Sequence, residues 1–138
     1  MSILAVIGIN KKNGLNSKHF GDSEKFRFYK ISEGNAELYN EILNSNKDID
    51  ETSLHGSENK KKSILELIGK DIDVIISGEK SPNFIKINKE TKILPIISEI
   101  FDEEKIVSYL IQNHSKILDI LEKKKQNIFM DIQFIKEK

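Results

Sequence analysis

Two short, nearly continuous apolar segments constrain the fold of this chain more than any other feature. Ile3–Ile9 and Asp73–Ser77 lack the apolar–polar alternation of a strand with one wet face, so each is typical of a strand buried on both faces. Strands of this kind need helices packed on both sides of their sheet. The sequence therefore predicts an α/β fold in which these two strands lie centrally.

Three further core strands are predicted from local patterns. Lys25–Ile31 and Ala36–Leu43 flank the turn Ser32–Asn35, so we expect them to form a hairpin, although Ala36–Leu43 also fits a helical turn. Ile93–Ile97 is the third, and its Pro95 predicts a position near an edge because proline cannot donate to a strand ladder. The expected core is thus a five-stranded mixed sheet.

Helices and a C-terminal extension complete the predicted fold. Apolar residues at helical spacing indicate a helix at Ser63–Ile68, another that begins at Ser81, and a long one over Asp102–Lys125, whereas Asn44–Lys62 is predicted to be a loop. Alternation in Ile128–Ile135 predicts an extra strand. We expect this strand to pack on its own chain, with exchange between subunits as the alternative, since an exposed apolar edge invites aggregation.

The composition excludes several kinds of function. The chain has 138 residues, no cysteine, three histidines and equal numbers of basic and acidic residues, 22 of each. Without cysteine there can be no disulfide, no thiolate-held cluster and no cysteine nucleophile, and zero net charge argues against a nucleic-acid-binding surface. The sequence has neither a leader pattern nor a membrane-spanning apolar run, so we expect a cytoplasmic protein with no nucleic-acid or membrane partner.

Polar loops follow the carboxyl ends of the two central strands, where ligands of open α/β sheets bind. Asn10–Gly21 and Gly78–Asn83 should therefore face one crevice. In the first loop, His19 is a candidate ligand because a neutral imidazole binds iron and similar metals; the alternative is a histidine that fixes the loop by a backbone hydrogen bond. In the second, the helix start at Ser81 can bind an anion through its first N–H groups, and the alternative is ordinary helix capping.

The other two histidines and the two lysine runs can be interpreted without a ligand. His55 lies in the polar segment before the Ser63–Ile68 helix and is either a second ligand or an exposed histidine. His114 falls on the apolar face of the last helix, which predicts a packed, hydrogen-bonded core residue. Lys60–Lys62 is interpreted as a solvated face, and Lys123–Lys125 as the C-terminus of that helix.

Three segments of the sequence resemble the dinitrogenase iron–molybdenum cofactor biosynthesis family. They are Gly14-Leu15-Asn16-Ser17-Lys18-His19-Phe20-Gly21 leading into Phe26-Arg27-Phe28-Tyr29; Asp73-Val74-Ile75-Ile76-Ser77-Gly78 followed by Ser81-Pro82-Asn83; and His55-Gly56 ahead of Ser63–Ile68. The first is similar to the family's loop that ends in His-Phe-Gly. The glycines that the family pattern has after His55-Gly56 and before Pro82 are replaced here.

The resemblance implies a ribonuclease H-like, three-layer α/β domain over residues 1–112, with residues 113–138 as a C-terminal extension packed on it. It also implies a non-catalytic carrier of an iron–sulfur or iron–molybdenum type cofactor or its precursor, working with a cofactor-assembly or acceptor protein as a monomer or homodimer. The alternative is a protein-interaction or regulatory domain of the same fold that binds no cofactor. The implied cofactor-binding residues are Asn10, His19, Phe20, Gly21, Gly78, Ser81, Pro82 and Asn83, with His19 and His55 as metal ligands.

Enzymatic activity is disfavoured by the residues themselves. A nuclease of the ribonuclease H-like kind holds two metal ions with carboxylates on its central strands, but Ile3–Ile9 contains no acid, and Asp71 and Asp73 precede the body of their strand. The sequence also lacks a Gly-Lys-Ser/Thr phosphate loop and a Gly-x-Ser-x-Gly nucleophile elbow. We therefore expect no catalysis.

Overall fold

The computed structural model describes residues 1–45, 54–69 and 71–136, with the backbone alone for residues 54–60. The described chain is an α/β protein with six strands and four α-helices. The strands are β1 (Ile3–Ile9), β2 (Lys25–Ser32), β3 (Asn35–Leu43), β4 (Val74–Ser77), β5 (Leu94–Ser98) and β6 (Gln133–Ile135). The helices are α1 (Leu54–Ile68), α2 (Pro82–Glu90), α3 (Glu103–Gln112) and α4 (His114–Lys125).

The strands form one mixed sheet in the order β3-β2-β1-β4-β5-β6. β1, β2 and β3 are antiparallel neighbours, while β1, β4, β5 and β6 run parallel to one another. β1 and β4 occupy the centre, which confirms the interpretation of the two apolar segments. All residues of β4 are buried, as are all residues of β1 except Leu4. β2 and β3 form the predicted hairpin, so the helical alternative for this segment is wrong.

Helices cover both faces of the sheet. Successive side chains of the central strands point to opposite faces, and since these side chains are apolar, each face has to be buried. On one face, Ile7 belongs to an apolar cluster with residues of α3 and α4. On the other, Val6 belongs to a cluster with residues of α1 and α2. The helix residues are Ile106, Leu110, Ile117, Ile120 and Leu121 in the first cluster and Ile64, Ile68, Phe84 and Ile87 in the second. The architecture is therefore the expected three layers, helix–sheet–helix.

The last two strands lie where the sequence predicts them, and only the length of β6 differs. β5 lies next to the edge of the sheet, as Pro95 predicts, and the edge strand β6 pairs along its outer side from Ile96 to Ser98. Pro95 is tolerated because it lies before the first residue of that ladder. Only Gln133–Ile135 of the predicted strand Ile128–Ile135 pairs with the sheet, and Ile135 is fully buried.

The first helix is longer than its apolar pattern indicates. α1 begins at Leu54, inside the segment Asn44–Lys62 that was expected to be a loop, so the predicted helix Ser63–Ile68 is only its C-terminal part. Residues 46–53 of that segment lie outside the described residues. The N-terminal turns of α1 are rich in polar residues, which obscures the helical period. Of the described helices, none combines the length and the apolar character that crossing a membrane requires.

The predicted long last helix is broken at Asn113. The backbone of Asn113 departs from helical geometry (φ −107°, ψ 18°), and its N–H and side-chain amide both donate to Tyr109 O at 2.9 Å at the end of α3. His114, the next residue, is buried, and its Nε2 lies 2.7 Å from the carbonyl oxygen of Met1. The prediction of a packed, hydrogen-bonded core histidine is thus confirmed.

The C-terminal turn of α4 buries a lysine that the sequence pattern did not reveal. Lys124 is only 5% exposed, and its Nζ donates to Asn88 O at 3.0 Å, to Asn88 Oδ1 at 2.6 Å and to Ile93 O at 2.6 Å. Burial and, to a smaller extent, the neighbouring charge of Lys92 lower the pKa of Lys124 to about 8. Lys124 therefore ties α4 to the end of α2 and to the start of β5.

Candidate functional site

The loop after β1 folds back on its strand. Leu15 forms an isolated antiparallel bridge with Ile9 and is almost completely buried. The backbone N–H of Asn16 donates to Gly8 O at 2.8 Å. The apolar Leu15 thus anchors the middle of a loop whose composition is otherwise polar.

Asn10 closes the turn at the start of this loop. Its Oδ1 accepts from the backbone N–H groups of Lys12 and Gly14, at 2.8 and 3.0 Å, and its Nδ2 donates to Leu15 O at 3.2 Å. Both ends of the side-chain amide are therefore used to shape the loop. This structural role accounts for Asn10 without a ligand, and its cofactor-binding role stays a prediction.

Asn16 fixes the second half of the loop. Its buried Nδ2 donates to His19 O at 2.8 Å and to Ser23 Oγ at 3.3 Å, and Ser23 Oγ in turn donates to Phe20 O at 2.7 Å. Neither Asn16 nor Ser23 was predictable as a buried residue, because short polar residues in a glycine-containing loop are usually solvated. Their burial is a property of the folded loop.

Phe20 fixes the position of its neighbour His19. It begins the short 3-10 helix Phe20–Asp22, and its buried ring lies 4.8 Å from the ring of Phe26 and 5.7 Å from that of Phe84, measured between centroids. These contacts place the loop against β2 and α2. His19, which directly precedes this helix, is therefore attached to a buried anchor.

The two loops expected to face a crevice are in direct contact. Gly78 N donates to Asn16 O at 3.0 Å, and Ser77 Oγ donates to Lys18 O at 2.8 Å. A Cβ atom at position 78 would lie 2.8 Å from Asn16 O and 2.9 Å from Ser17 Cα. Glycine is thus required here by close approach, and its N–H already has an acceptor within the protein.

Gly78→Ala is expected to lower the free energy of unfolding by about 2 kcal/mol. The added methyl group meets backbone atoms, so the loop itself must shift. Urea denaturation followed by far-UV circular dichroism measures the change. Lys80→Ala, at an exposed position two residues further on, is the matched control and should stay within about 0.5 kcal/mol of the wild type. Equal stability of Gly78→Ala and wild type would contradict the close contact between the loops.

His19 lies at the surface, next to this contact. Its side chain is 31% exposed, and its Nε2 lies 3.5 Å from Glu79 Oε1, on the segment that leaves β4. The exposed side chains of Lys18 and Lys80 come from the same two segments. The structure thus brings the histidine of the first loop and the carboxylate of the second together, at the carboxyl ends of β1 and β4.

The start of α2 is capped from within. Ser81 Oγ accepts from Phe84 N at 3.1 Å, and Pro82 occupies the first helical position. Asn83, the next residue, is also buried. Ordinary capping, the plainer of the two interpretations of this segment, is therefore present, and it leaves the anion-binding role a prediction.

Several predicted residues border one small cavity of about 20 Å³. They share it with α1, and the full lining is Phe20, Gly21, Lys61, Ile64, Ser81, Asn83, Phe84 and Ile87. This volume holds about one water molecule, which is far too small for a metal cluster. A cofactor bound by His19 therefore has to lie on the outer surface of the two loops.

The side chains near His19 suit a preassembled metal cluster better than a bare metal ion. In the described part of the chain, no three or more His, Asp or Glu side chains are grouped so that they could hold a metal ion. One imidazole and a nearby carboxylate fit a preassembled cluster that carries its own inorganic ligands, rather than a bare ion. His55 lies in the first turn of α1, where side chains are not described, so its ligand role stays a prediction.

A second polar cluster lies where α3 meets the hairpin. Arg27 Nε donates to Glu41 Oε1 at 2.8 Å, and Arg27 and Tyr29 both donate to Glu103. Burial and the bond to Glu103 raise the pKa of Tyr29 well above its ordinary value. Because these groups already pair with one another, the cluster is a structural link between α3 and the sheet.

Comparison with known proteins yields a family for most of the chain. The family model described as "Dinitrogenase iron-molybdenum cofactor" matches residues 1–113. No curated protein matches the chain. The matched region ends at Asn113, the residue that separates α3 from α4, so α4 and β6 lie outside it.

Proposed function

Because the chain belongs to the dinitrogenase iron-molybdenum cofactor family, we propose that it is a non-catalytic carrier of an iron–sulfur or iron–molybdenum type cofactor or its precursor. The observation that carries the proposal is the position of His19, a partly exposed imidazole on a loop held by buried residues. We also infer a ribonuclease H-like domain that acts in the cytoplasm with a cofactor-assembly or acceptor protein.

The chemistry of His19 supports this role. A neutral imidazole binds iron through one ring nitrogen, and a partner on the other nitrogen commonly orients the ring. Glu79 is close enough to orient it. The cofactor would supply the metal–sulfur chemistry, while the chain would only hold and release it. A cluster on the surface of the loops would be accessible to a second protein, as a carrier requires.

The placement of the acids supports a non-catalytic role. β1 and β4 contain no Asp or Glu. Asp73, just before β4, lies at the opposite end of the sheet from His19, where its Oδ2 accepts from Leu4 N at 2.9 Å. A two-metal hydrolytic centre needs carboxylates that converge on one point, and the central strands do not provide them.

His19→Ala is expected to weaken binding of isolated iron–molybdenum cofactor by at least about tenfold. The free energy of unfolding should change by no more than about 0.5 kcal/mol, because the imidazole is partly exposed and outside the core. Anaerobic titration followed by visible absorption measures the affinity, and urea denaturation measures the stability. Lys18→Ala, which alters the neighbouring exposed side chain, is the matched control.

Two results of this experiment would change the assignment. Equal affinity of the wild type and His19→Ala would show that the histidine is not a ligand. Absence of binding by the wild type would favour the second candidate function, a protein-interaction or regulatory domain without a cofactor. The observation in favour of that candidate is the internal pairing of the site, where Gly78 N–H and Ser81 Oγ are already bonded within the protein.

A further inference from the structure

A second cavity lies at the other end of the sheet from His19. It has a volume of about 160 Å³ and is bordered by Lys89 of α2, by Lys92 between α2 and β5, and by Lys124 of α4. Asn127 adds a polar side chain, and Ile128, Phe129 and Met130 form an apolar wall. No Asp or Glu of the described residues borders this cavity. Three lysines thus surround one small space that has no acidic side chain.

Lys124 distinguishes this group from an ordinary patch of surface lysines. Its Nζ is buried and has three acceptors, all of which are uncharged amide or carbonyl oxygens of Asn88 and Ile93. The helix ends of α2 and α4 offset part of the charge with their partial negative dipoles. A buried ammonium without a carboxylate partner is nevertheless costly for the folded protein.

Lys92 adds a second cation beside the first. Its Nζ donates to Lys124 O at 2.9 Å and to Asn127 Oδ1. An ammonium has three N–H groups, so these two bonds leave one more for another acceptor. Glu90, the acid nearest in sequence, is directed elsewhere and pairs with Lys61 of α1 at 2.8 Å.

We propose that this three-lysine cavity binds a small oxyanion of the phosphate class. A bound anion would offset the repulsion between Lys92 and Lys124 and accept hydrogen bonds from Lys92 and Asn127. The volume lies below the range of about 300–1,000 Å³ that is typical of pockets for drug-sized ligands, which favours a single phosphate group over a nucleotide. The same chemistry is offered by free phosphate and by the phosphate group of a small monoester.

Isothermal titration calorimetry of the whole chain with inorganic phosphate and with glucose 6-phosphate tests the proposal. We expect saturable binding of at least one of them, and tighter binding identifies free phosphate or a monoester as the source. Lys92→Met and Lys89→Met should each weaken binding by about tenfold. Lys123→Met is the matched control, since Lys123 is an exposed residue of the same helix that pairs with Asp119 at 3.2 Å, and it should bind as the wild type does.

Proton uptake gives a readout that general electrostatic attraction would not produce. The charge that acts on Lys124 is that of Lys92; Lys89 borders the same cavity, and Glu122, Lys123 and Lys125 lie beside Lys124 on its own helix. An anion should raise the pKa of Lys124 above its value of about 8, so binding near that pH should consume protons and its heat should depend on the buffer. Absence of saturable binding, equal affinity in both lysine variants and wild type, or a buffer-independent heat would overturn the proposal.

Discussion

A chain that ends at Lys125 is expected to be largely unfolded or aggregated, with a loss of about 5 kcal/mol or more in the free energy of unfolding. The truncation removes β6, whose Ile135 is fully buried. It also removes Met130 and Ile132, which pack on the two apolar clusters. Since a domain of this size is stable by only about 5–15 kcal/mol, this loss is comparable to the whole. Thermal melts and light scattering measure it.

Two point variants in β6 test whether the loss of stability comes from the buried side chain of this strand. Ile135→Ala should cost about 3 kcal/mol because it leaves a cavity in the core. Phe134→Ala, next to it and 48% exposed, should cost less than about 1 kcal/mol. If the truncated chain stays monomeric and as stable as the wild type, β6 does not contribute to the fold in the way described.

Lys124→Ala is expected to lower the free energy of unfolding by about 3 kcal/mol. The substitution leaves three buried acceptors on Asn88 and Ile93 without their donor and opens a cavity between α4 and the sheet. Lys124→Met keeps most of the side-chain volume, so it measures the loss of the donor alone. Lys123→Ala, on the exposed face of the helix, is the control. Urea denaturation near neutral pH is the measurement.

The stability of the wild type should depend on pH in a way that Lys124→Ala removes. The pKa of Lys124 is about 8 in the folded protein and about 10.5 when it is solvated. Between these values the unfolded chain binds more protons than the folded one, so the contribution of this group to the free energy of unfolding rises with pH. Measurements at about pH 7.5 and 9, about one pH unit or more below the ordinary pKa of tyrosine, should show the rise in the wild type only.

The strands of this protein were predictable because their burial is recorded in their composition. Ile3–Ile9 and Val74–Ser77 are apolar on both faces, and only a central position satisfies that pattern. Pro95 correctly indicated a position near an edge, because β5 is the strand next to β6 and its ladder with β6 begins only after the proline. The length of β6 was overestimated, because the apolar–polar alternation continues through residues that do not pair with β5.

The helix boundaries were harder to predict than the strands. The apolar stripe continues from Leu110 to Ile117 across the break at Asn113, so its period does not show where α3 ends. The buried Lys124 lies in a run of three lysines, a composition that normally indicates solvent. The oxygens of Asn88 and Ile93 that accept from Lys124 are brought close only by the fold, so its burial leaves no trace in the sequence.

The candidate site was predictable in outline. The rule that ligands bind beyond the carboxyl ends of strands placed the His19 loop and the Gly78–Asn83 segment together, and the structure brings His19 within 3.5 Å of Glu79. The direct contact between the loops was not foreseen, because it depends on the backbone bond from Gly78 to Asn16. Glu79 itself was missed, since a lone exposed acid carries no motif.

The fixed shape of the His19 loop has a thermodynamic consequence for whatever it binds. Asn16, Phe20 and Gly78 hold the loop at separate points, so its conformational entropy is lost when the protein folds and not when a ligand arrives. Such a loop favours affinity for a ligand of matching shape and gives little adaptation to others. Selectivity at this surface would then arise from rigidity, and loosening the loop at Asn16 would broaden the range of ligands while weakening each of them.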